Sequence, residues 1–324
     1  MRVSTAVRAA LTGVLLGLCC LALAQSYPIK PLRLIIDTAP GGITDILGRL
    51  SADNLTLQTG RQVVVENRVG GLGFVALDAF AKAANDGYTL MVVGSGTIVL
   101  QPLLQRTISY DPVNDFVPVF NIAETPHILV VPANLPANNV AEFIAYVKAN
   151  PGRINYGSSG VGGPPHLAMD RFSRITGLQM THIPYKGVGG TLADLVAGRI
   201  QVVSLSLGSA RPNLKSGTLK ALVTAARKRL GGLPDVPTAI EAGIPEWEMS
   251  AWFGIFSPKD THGEIVRFLN GKLQTWLDDT KIRSRFVDLG AEPLGGSSNS
   301  FIERVHADYK YWGRVVKDSG IKLE

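Results

Sequence analysis

Small and hydroxyl-bearing residues recur where predicted strands end, and such residues suit the binding of a small anion. The first example is Pro40-Gly41-Gly42-Ile43-Thr44-Asp45, which follows the apolar run Leu34–Ile36 and precedes an apolar pattern at helical spacing. Glycines let the backbone approach a ligand, and a helix that begins near Thr44 offers unpaired N–H groups and a positive dipole end. Together these features favour a carboxylate or a phosphate. We expect Asp45 to cap the helix rather than to meet the anion.

A tight turn before a capped helix would explain that one segment equally well, but four further strand ends share its composition. They are Gly70-Gly71-Leu72-Gly73, Gly94-Ser95-Gly96-Thr97, Tyr156–Gly163 and Pro184–Gly190. In open α/β sheets the carboxyl ends of the strands form the ligand crevice. Five such segments therefore predict a small polar ligand held by backbone amides and hydroxyls. Gly70–Gly73 does not complete a dinucleotide fingerprint, and we expect no cofactor.

Catalytic interpretations have less support. Gly157-Ser158-Ser159-Gly160 is not the Gly-x-Ser-x-Gly elbow of hydrolases, although a triad of Ser158, His166 and a distant aspartate stays open. We expect His166, which opens a predicted helix, to be a structural or ligand-side donor. Lys186 beside Tyr185 could contact an acidic ligand or be a solvated loop residue. The five histidines lack metal-ligand spacing, so we predict no metal site.

The first 24 residues have the features of a cleaved signal peptide. Arg2 and Arg8 form a basic start, Ala9 to Ala22 is an apolar run too short to span a membrane comfortably, and Ala22-Leu23-Ala24 is a small-residue cleavage pattern. We therefore predict export, with an uncleaved anchor as the alternative.

The mature chain is expected to lack cysteine, because Cys19 and Cys20 both lie in the signal peptide. It then needs neither a disulfide nor a thiolate site. Loss of Arg2 and Arg8 lowers the formal net charge from +6 to +4, which is only mildly basic. No basic run or aromatic-basic stripe is present, so we predict no nucleic-acid partner.

Strand-like and helix-like segments alternate along the chain, which indicates an α/β fold with mainly parallel strands. Two apolar runs, His127–Pro132 and Ala251–Pro258, each end at a proline and bracket the second α/β series. We interpret them as a hinge of two crossing strands that leaves a ligand cleft between two lobes. The alternative is one large sheet with an insertion. Lobe 1 is predicted to comprise residues 25–125 and 251–324, and lobe 2 residues 126–250.

Nine short segments, in this order, resemble the Bug-type family of periplasmic receptors of tripartite tricarboxylate transporters, over essentially the whole mature chain. They are Tyr27-Pro28-Ile29-Lys30-Pro31, Pro40–Asp45, Val65-Glu66-Asn67-Arg68, Asp86-Gly87-Tyr88-Thr89-Leu90, Tyr110-Asp111-Pro112, Asn155-Tyr156-Gly157-Ser158, His166-Leu167, Pro184-Tyr185-Lys186-Gly187 and Leu233–Thr238.

The resemblance implies a two-lobed fold of the type II periplasmic-binding-protein kind. It further implies a monomer, without catalysis, that closes on a small carboxylate-bearing solute and hands it to a membrane permease. In the family the elbow after the first strand receives a carboxylate, in part through ordered waters. By motif match, the candidate ligand-binding residues are Gly41, Gly42, Thr44, Ser95, Thr97, Ser158, His166, Tyr185 and Lys186.

Several positions depart from the family pattern. Asp37-Thr38 stands where relatives often have Pro-Phe, Gly198-Arg199-Ile200-Gln201 replaces Gly-Gln-Val-Asp, and Leu205 replaces an acidic residue. Gly162-Gly163-Pro164-Pro165 also lacks a hydroxyl that relatives often place before the histidine. These changes leave the solute open, including whether it is an amino acid, whose ammonium would need an acidic partner.

Two other functions stay open at this point. One is an exported α/β hydrolase that uses Ser158 or Ser159. The other is a ligand sensor that presents its solute to a membrane kinase. The sequence does not distinguish such a sensor from a transport receptor.

Overall fold

The computed structural model describes residues 27–105, 108–185 and 187–319 of the 324-residue chain. The predicted signal peptide at residues 1–24 and the candidate residue Lys186 lie outside these ranges.

The first α/β unit is built around a three-stranded parallel sheet in which β1 lies between β2 and β3. Its elements are β1 (Leu32–Ile36), α1 (Ile43–Thr59), β2 (Val63–Asn67), α2 (Phe74–Ala81) and β3 (Thr89–Gly94), followed by a π-helical turn (Gly96–Leu100) and α3 (Gln101–Leu104).

Strand β1 is buried on both faces, as expected of a parallel sheet covered by helices. Because successive side chains point to opposite faces, Ile35 packs with Leu77 of α2, whereas Leu34 and Ile36 pack with Leu47 of α1. The continuous apolar run in the sequence thus reflects a layer of helix on each side.

Strand β4 (Phe116–Pro132) is 17 residues long and is shared by both halves of the molecule. Its first part, up to Pro126, pairs antiparallel with β9 (Ser250–Pro258). Its second part, from His127, pairs antiparallel with β7 (Val202–Ser206) and β8 (Leu219–Thr224). Our placement of the strand start at His127 was wrong, because the strand begins eleven residues earlier, at Phe116. Prolines and polar residues had made this stretch look like a loop, but two register shifts against β9 accommodate it.

The second α/β unit repeats the parallel arrangement, with β5 paired to β6 and β7. Its elements are α4 (Val140–Ala149), β5 (Asn155–Ser158), α5 (Pro164–Thr176), β6 (Thr181–Pro184), α6 (Val188–Val196), β7 (Val202–Ser206), α7 (Leu207–Lys215) and β8 (Leu219–Thr224).

The chain returns to the first unit beside the middle of β4. The His127 amide donates to the Met249 carbonyl at 2.9 Å, and the Ala225 amide donates to the His127 carbonyl at 2.8 Å.

The remaining elements are β9, α8 (Gly263–Leu277), α9 (Thr280–Asp288), β10 (Glu292–Pro293) and α10 (Ser298–Ser319). The strands follow the order β2-β1-β3-β9-β4-β7-β5-β6, so β9 and β4 join the two parallel units. The residue bounds of the lobes stay a prediction.

Close packing at Gly254 of β9 joins this strand to α10, and we expect Gly254→Ala to be destabilising. An added Cβ would collide with the Phe301 ring and come within 3.2 Å of the Phe120 carbonyl oxygen. Such overpacking lowers the free energy of unfolding by about 1–3 kcal/mol. Denaturant unfolding followed by circular dichroism measures this loss.

The matched control is Gly271→Ala on the exposed face of α8, where an added Cβ meets nothing within 4 Å. Alanine is the better helix former, so this variant should gain up to about 1 kcal/mol. Equal stability of the two variants would contradict the packing described here.

Candidate ligand-binding site

A cavity of about 520 Å³ lies at the carboxyl ends of β1, β2 and β3. The segments that follow these strands contribute most of its wall, the start of β9 adds Ala251 and Phe253, and Pro164 reaches it from the first turn of α5 in the second unit. The cavity therefore lies between the two lobes, at the strand ends that the recurring small residues predicted.

The elbow after β1 leaves the first amides of α1 free. The helix has Gly42 as its N-cap, with no side chain bound to its first turn. No acceptor for the Ile43 and Thr44 amides is present among the described residues, as is usual for a helix start. Gly41 turns the chain into the helix with a φ of 91°, which strongly favours glycine.

Asp45 does not cap the helix, so that expectation was wrong. Its carboxylate instead reaches back to the Gly41 amide at 3.0 Å and accepts from Arg49 and from Asn67 Nδ2 at 2.9 Å. Burial would raise the pKa of Asp45, but these hydrogen bonds outweigh it and lower the pKa to about 2. Asn67 also donates to the Thr38 carbonyl, so this residue of the Val65–Arg68 motif fixes the shape of the elbow.

The segment after β3 places two candidate hydroxyls differently. Thr97 lines the cavity, whereas the Ser95 hydroxyl accepts from the Trp252 amide at 3.2 Å and thereby ties β3 to β9. Gly73, at a φ of 96°, makes room for Thr97, because an added Cβ would collide with its methyl group and lie 3.2 Å from Asp37 Oδ2.

Three polar residues of the cavity were not among the candidates. Asp37, Thr38 and Gln101 line it, and each has a buried oxygen without a hydrogen-bond partner: Asp37 Oδ1, Thr38 Oγ1 and Gln101 Oε1. Burial raises the pKa of Asp37 to about 6, although the Thr97 hydroxyl beside it lowers that pKa. The position of Asp37 directly after β1 was a usable signal in the sequence. Gln101 follows a π-helical turn that sequence patterns do not reveal.

The second lobe carries another cluster at the ends of β5 and β6. The His166 and His182 rings stack with centroids 3.8 Å apart, and the Ser158 hydroxyl lies 2.7 Å from His182 Nε2. Burial, with a contribution from the neighbouring imidazole, lowers the pKa of His182 to about 4, and burial also lowers the pKa of His166. Both rings are therefore neutral at neutral pH and act as hydrogen-bonding groups rather than as cations.

Tyr185 follows β6 and turns its hydroxyl away from the cavity, since it donates to Asp194 Oδ2 at 2.6 Å. The structure thus groups Gly41, Gly42, Thr44, Ser95 and Thr97 on one side of the cleft. In the other lobe, Ser158 and Tyr185 lie at strand ends and His166 lies in the first turn of α5, and none of the three lines the cavity. Whether any candidate contacts a ligand stays a prediction.

In the described ranges, histidine, cysteine, aspartate and glutamate nowhere come together in a group of three or more suited to a metal ion. None of the helices in these ranges has the length and apolar character needed to cross a membrane.

Burial of the Asp37 carboxylate should lower the free energy of unfolding at neutral pH. We therefore expect Asp37→Asn to be more stable than the wild type at that pH. The pKa of Asp37 rises from 3.8 unfolded to about 6 folded, so folding favours the protonated acid. The cost is absent when both states are protonated, below about pH 4, and reaches on the order of 3 kcal/mol when both are ionised, above about pH 6. The extra free energy of unfolding of Asp37→Asn over the wild type should therefore shrink as the pH falls from about 7 to about 4.

Urea unfolding of the ligand-free protein at both pH values measures this change. Asp53→Asn, an equal change of charge on the exposed side of α1, is the control and should show neither the gain nor its pH dependence. A pH-independent effect of Asp37→Asn would refute the proposed cost of ionisation.

Comparison with known proteins identifies the family. A sequence model described as "Tripartite tricarboxylate transporter family receptor" matches residues 47–321. Protein BugT of Bordetella pertussis is 33% identical over 302 residues, which cover 93% of each chain.

Solved structures agree with this. The chain is similar to R. palustris Rpa4515 with adipate, at 35% identity and a TM-score of 0.82, over 91% of this chain and 99% of that one. It is also similar to MatC (Rpa3494) from Rhodopseudomonas palustris with bound malate, at 32% identity and a TM-score of 0.76, over 90% and 100% of the two chains. These likenesses confirm the predicted two-lobed, periplasmic-binding-protein-like α/β fold with its cleft between lobes. The chain belongs to the tripartite tricarboxylate transporter receptor family, whose members are periplasmic solute-binding receptors.

Proposed function

We propose that this protein captures a small carboxylate-bearing solute in the periplasm and delivers it to a membrane transporter of the tripartite tricarboxylate type, without catalysis. The observation that carries this proposal is the cavity at the free N-terminus of α1, enclosed by strand ends of one lobe and by Pro164 of the other. The adipate and malate bound by the two related receptors support a carboxylate.

A carboxylate fits the elbow because the elbow supplies donors and a favourable field. The amides of Ile43 and Thr44 are unpaired, and the start of α1 is the positive end of its dipole. Thr44 lines the same cavity and adds a hydroxyl donor, whereas the Thr97 hydroxyl is engaged with Asp37. No lysine, arginine or histidine lines it among the described residues, so hydrogen bonds and the dipole, with ordered waters, balance the charge.

Binding to both lobes would favour the closed form. Gly96 of the first lobe and Pro164 of the second already approach each other, since an added Cβ at Gly96 would lie 3.3 Å from Pro164 Cγ. A solute that contacts both sides gains affinity only when they are together, which shifts the population toward closure. Ser158, His166, Tyr185 and Lys186 are the proposed contacts from the second lobe.

The surroundings of Ser158 do not favour a hydrolase. The side chain is 0% exposed, and its hydroxyl donates to the Gly160 carbonyl at 2.9 Å and lies beside His182. A catalytic serine needs a base and an approach for the substrate carbonyl. The neighbouring His182 could serve as the base. Ser158 does not line the cavity, however, so a substrate carbonyl has no approach to its hydroxyl. Its hydrogen bonds instead shape the loop that leads to Pro164.

The remaining parts of the proposal follow from the sequence and the family. The predicted signal peptide at residues 1–24 would direct the chain to the periplasm, where the mature protein would act as a monomer. A permease of the inner membrane is the proposed recipient of the solute.

We expect carboxylates to raise the melting temperature of the purified protein in a dose-dependent manner, because they bind the native state alone. The panel comprises dicarboxylates, citrate, aromatic acids and acidic amino acids. Thr44→Val keeps the shape of the side chain and removes one cavity donor, so affinity should fall about tenfold, as for other hydrogen bonds to charged groups. Thermal unfolding and calorimetric titration measure both effects.

Thr275→Val, at an exposed position of α8, is the matched control, and this variant should bind carboxylates with the affinity of the wild type. Native mass spectrometry checks for a solute retained through purification. If no acid shifts the melting temperature and no solute is retained, the carboxylate proposal fails.

A further inference from the structure

Asp37 is a buried acid that the receptor fold alone does not explain. It directly follows β1, is 4% exposed, and lines the cavity. Its Oδ1 atom has no hydrogen-bond partner among the described residues. Buried polar groups in proteins are almost always satisfied, so an unsatisfied carboxylate oxygen in a binding cavity indicates a group that the ligand completes.

The charge of Asp37 is also uncompensated. It is the sole charged residue among the described residues that line the cavity. Two basic side chains on the neighbouring segments are engaged elsewhere: Arg49 pairs with Asp45, and Arg68 pairs with Glu66. A buried charge normally has a partner of opposite sign, and no described side chain supplies it here.

The surroundings of Asp37 offer two further oxygens that can accept a hydrogen bond, of which the Thr38 hydroxyl can also donate one. Thr38 Oγ1 and Gln101 Oε1 are buried without partners in the same wall. This part of the cavity therefore favours a ligand group that donates a hydrogen bond. A cationic donor is favoured most, since such a group would both satisfy the oxygens and balance the charge of Asp37. The α1 elbow, in the same cavity, has the opposite preference.

We propose that Asp37 is a specificity residue that makes the cavity prefer carboxylate solutes carrying a second, donor-bearing group, above all an ammonium. The carboxylate would lie at the start of α1 and the ammonium at Asp37, with Thr38 and Gln101 as additional acceptors. This inference rests on the proposed binding of carboxylates and adds the chemistry of the rest of the solute.

The test is a set of matched acids titrated calorimetrically into the purified protein at neutral pH. Succinate, malate and aspartate share four carbons and differ at one position, which carries hydrogen, hydroxyl or ammonium. Adipate and 2-aminoadipate repeat the comparison with six carbons, and both enantiomers of each chiral acid are used. We expect the amino acid of the better-fitting length to bind about tenfold more tightly than its unsubstituted acid, with malate between.

Asp37→Asn should reduce this preference to about threefold or less, because it keeps the shape and an acceptor but removes the charge. Asp37→Ala removes the acceptor as well and should also abolish the advantage of malate. Asp53→Asn is the control for net charge and should preserve the wild-type order. A melting curve for each variant establishes that it is folded.

The outcomes separate the two proposals. If the wild type binds the unsubstituted acids as tightly as the amino acids, or if Asp37→Asn keeps the full ammonium preference, the role of Asp37 is overturned while carboxylate binding stands. If the wild type binds none of the acids, carboxylate binding fails, and the role of Asp37 fails with it.

Discussion

The whole arrangement depends on one strand that belongs to two sheets. Because β4 pairs with β9 along its first part and with β7 and β8 along its second, the two parallel units share a backbone hydrogen-bond ladder. The ladder of β4 with β9 ends at the pair Pro126–Ser250, and the next residue, His127, donates its amide to the Met249 carbonyl, so the two chain segments stay bonded where the units meet. A cleft bordered by strand ends follows from this pairing.

The polar side chains around the cleft fall into two groups. In the elbow, Asn67 and Asp45 hydrogen-bond to each other and give the chain a fixed shape. In the cavity wall, Asp37, Thr38 and Gln101 each have an oxygen without a partner among the described residues, at a cost on the order of 1–3 kcal/mol each. Other buried atoms, such as Asn54 Nδ2 and Ser257 Oγ, also lack a partner among the described residues, so the feature of the cleft is that three such oxygens lie in one wall.

The sequence predicts the regular parts of this structure well, because hydrophobic periodicity is a local signal. Helix α4 (Val140–Ala149) and β1 (Leu32–Ile36) carry such a signal along their whole length. The start of β4 was missed because Pro118 and its polar neighbours obscure a strand whose irregular register depends on β9. Helix α7 lacks a continuous helical pattern in the sequence, because Gly208 and Pro212 interrupt it. In the site, the elbow could be predicted from its glycines, whereas Gln101 reaches the cavity through a π-helical turn that has no sequence signature.

The electrostatics of the two lobes explain why such a cleft needs little formal charge. His127, His166 and His182 are buried with lowered pKa values, so these histidines are neutral at neutral pH. Apart from the carboxylate of Asp37, the field in the cleft then comes mainly from the start of α1. Helix α1 begins at an N-cap glycine without a side chain bound to its first turn, so its first amides face the cavity wall unpaired among the described residues. Helix α5 also begins at a glycine, Gly163, but its first two residues are prolines and supply no N–H group. The dipole and amides of α1 favour an anion without an ion pair that would have to break on release, and they bind a carboxylate less tightly than buried arginines would.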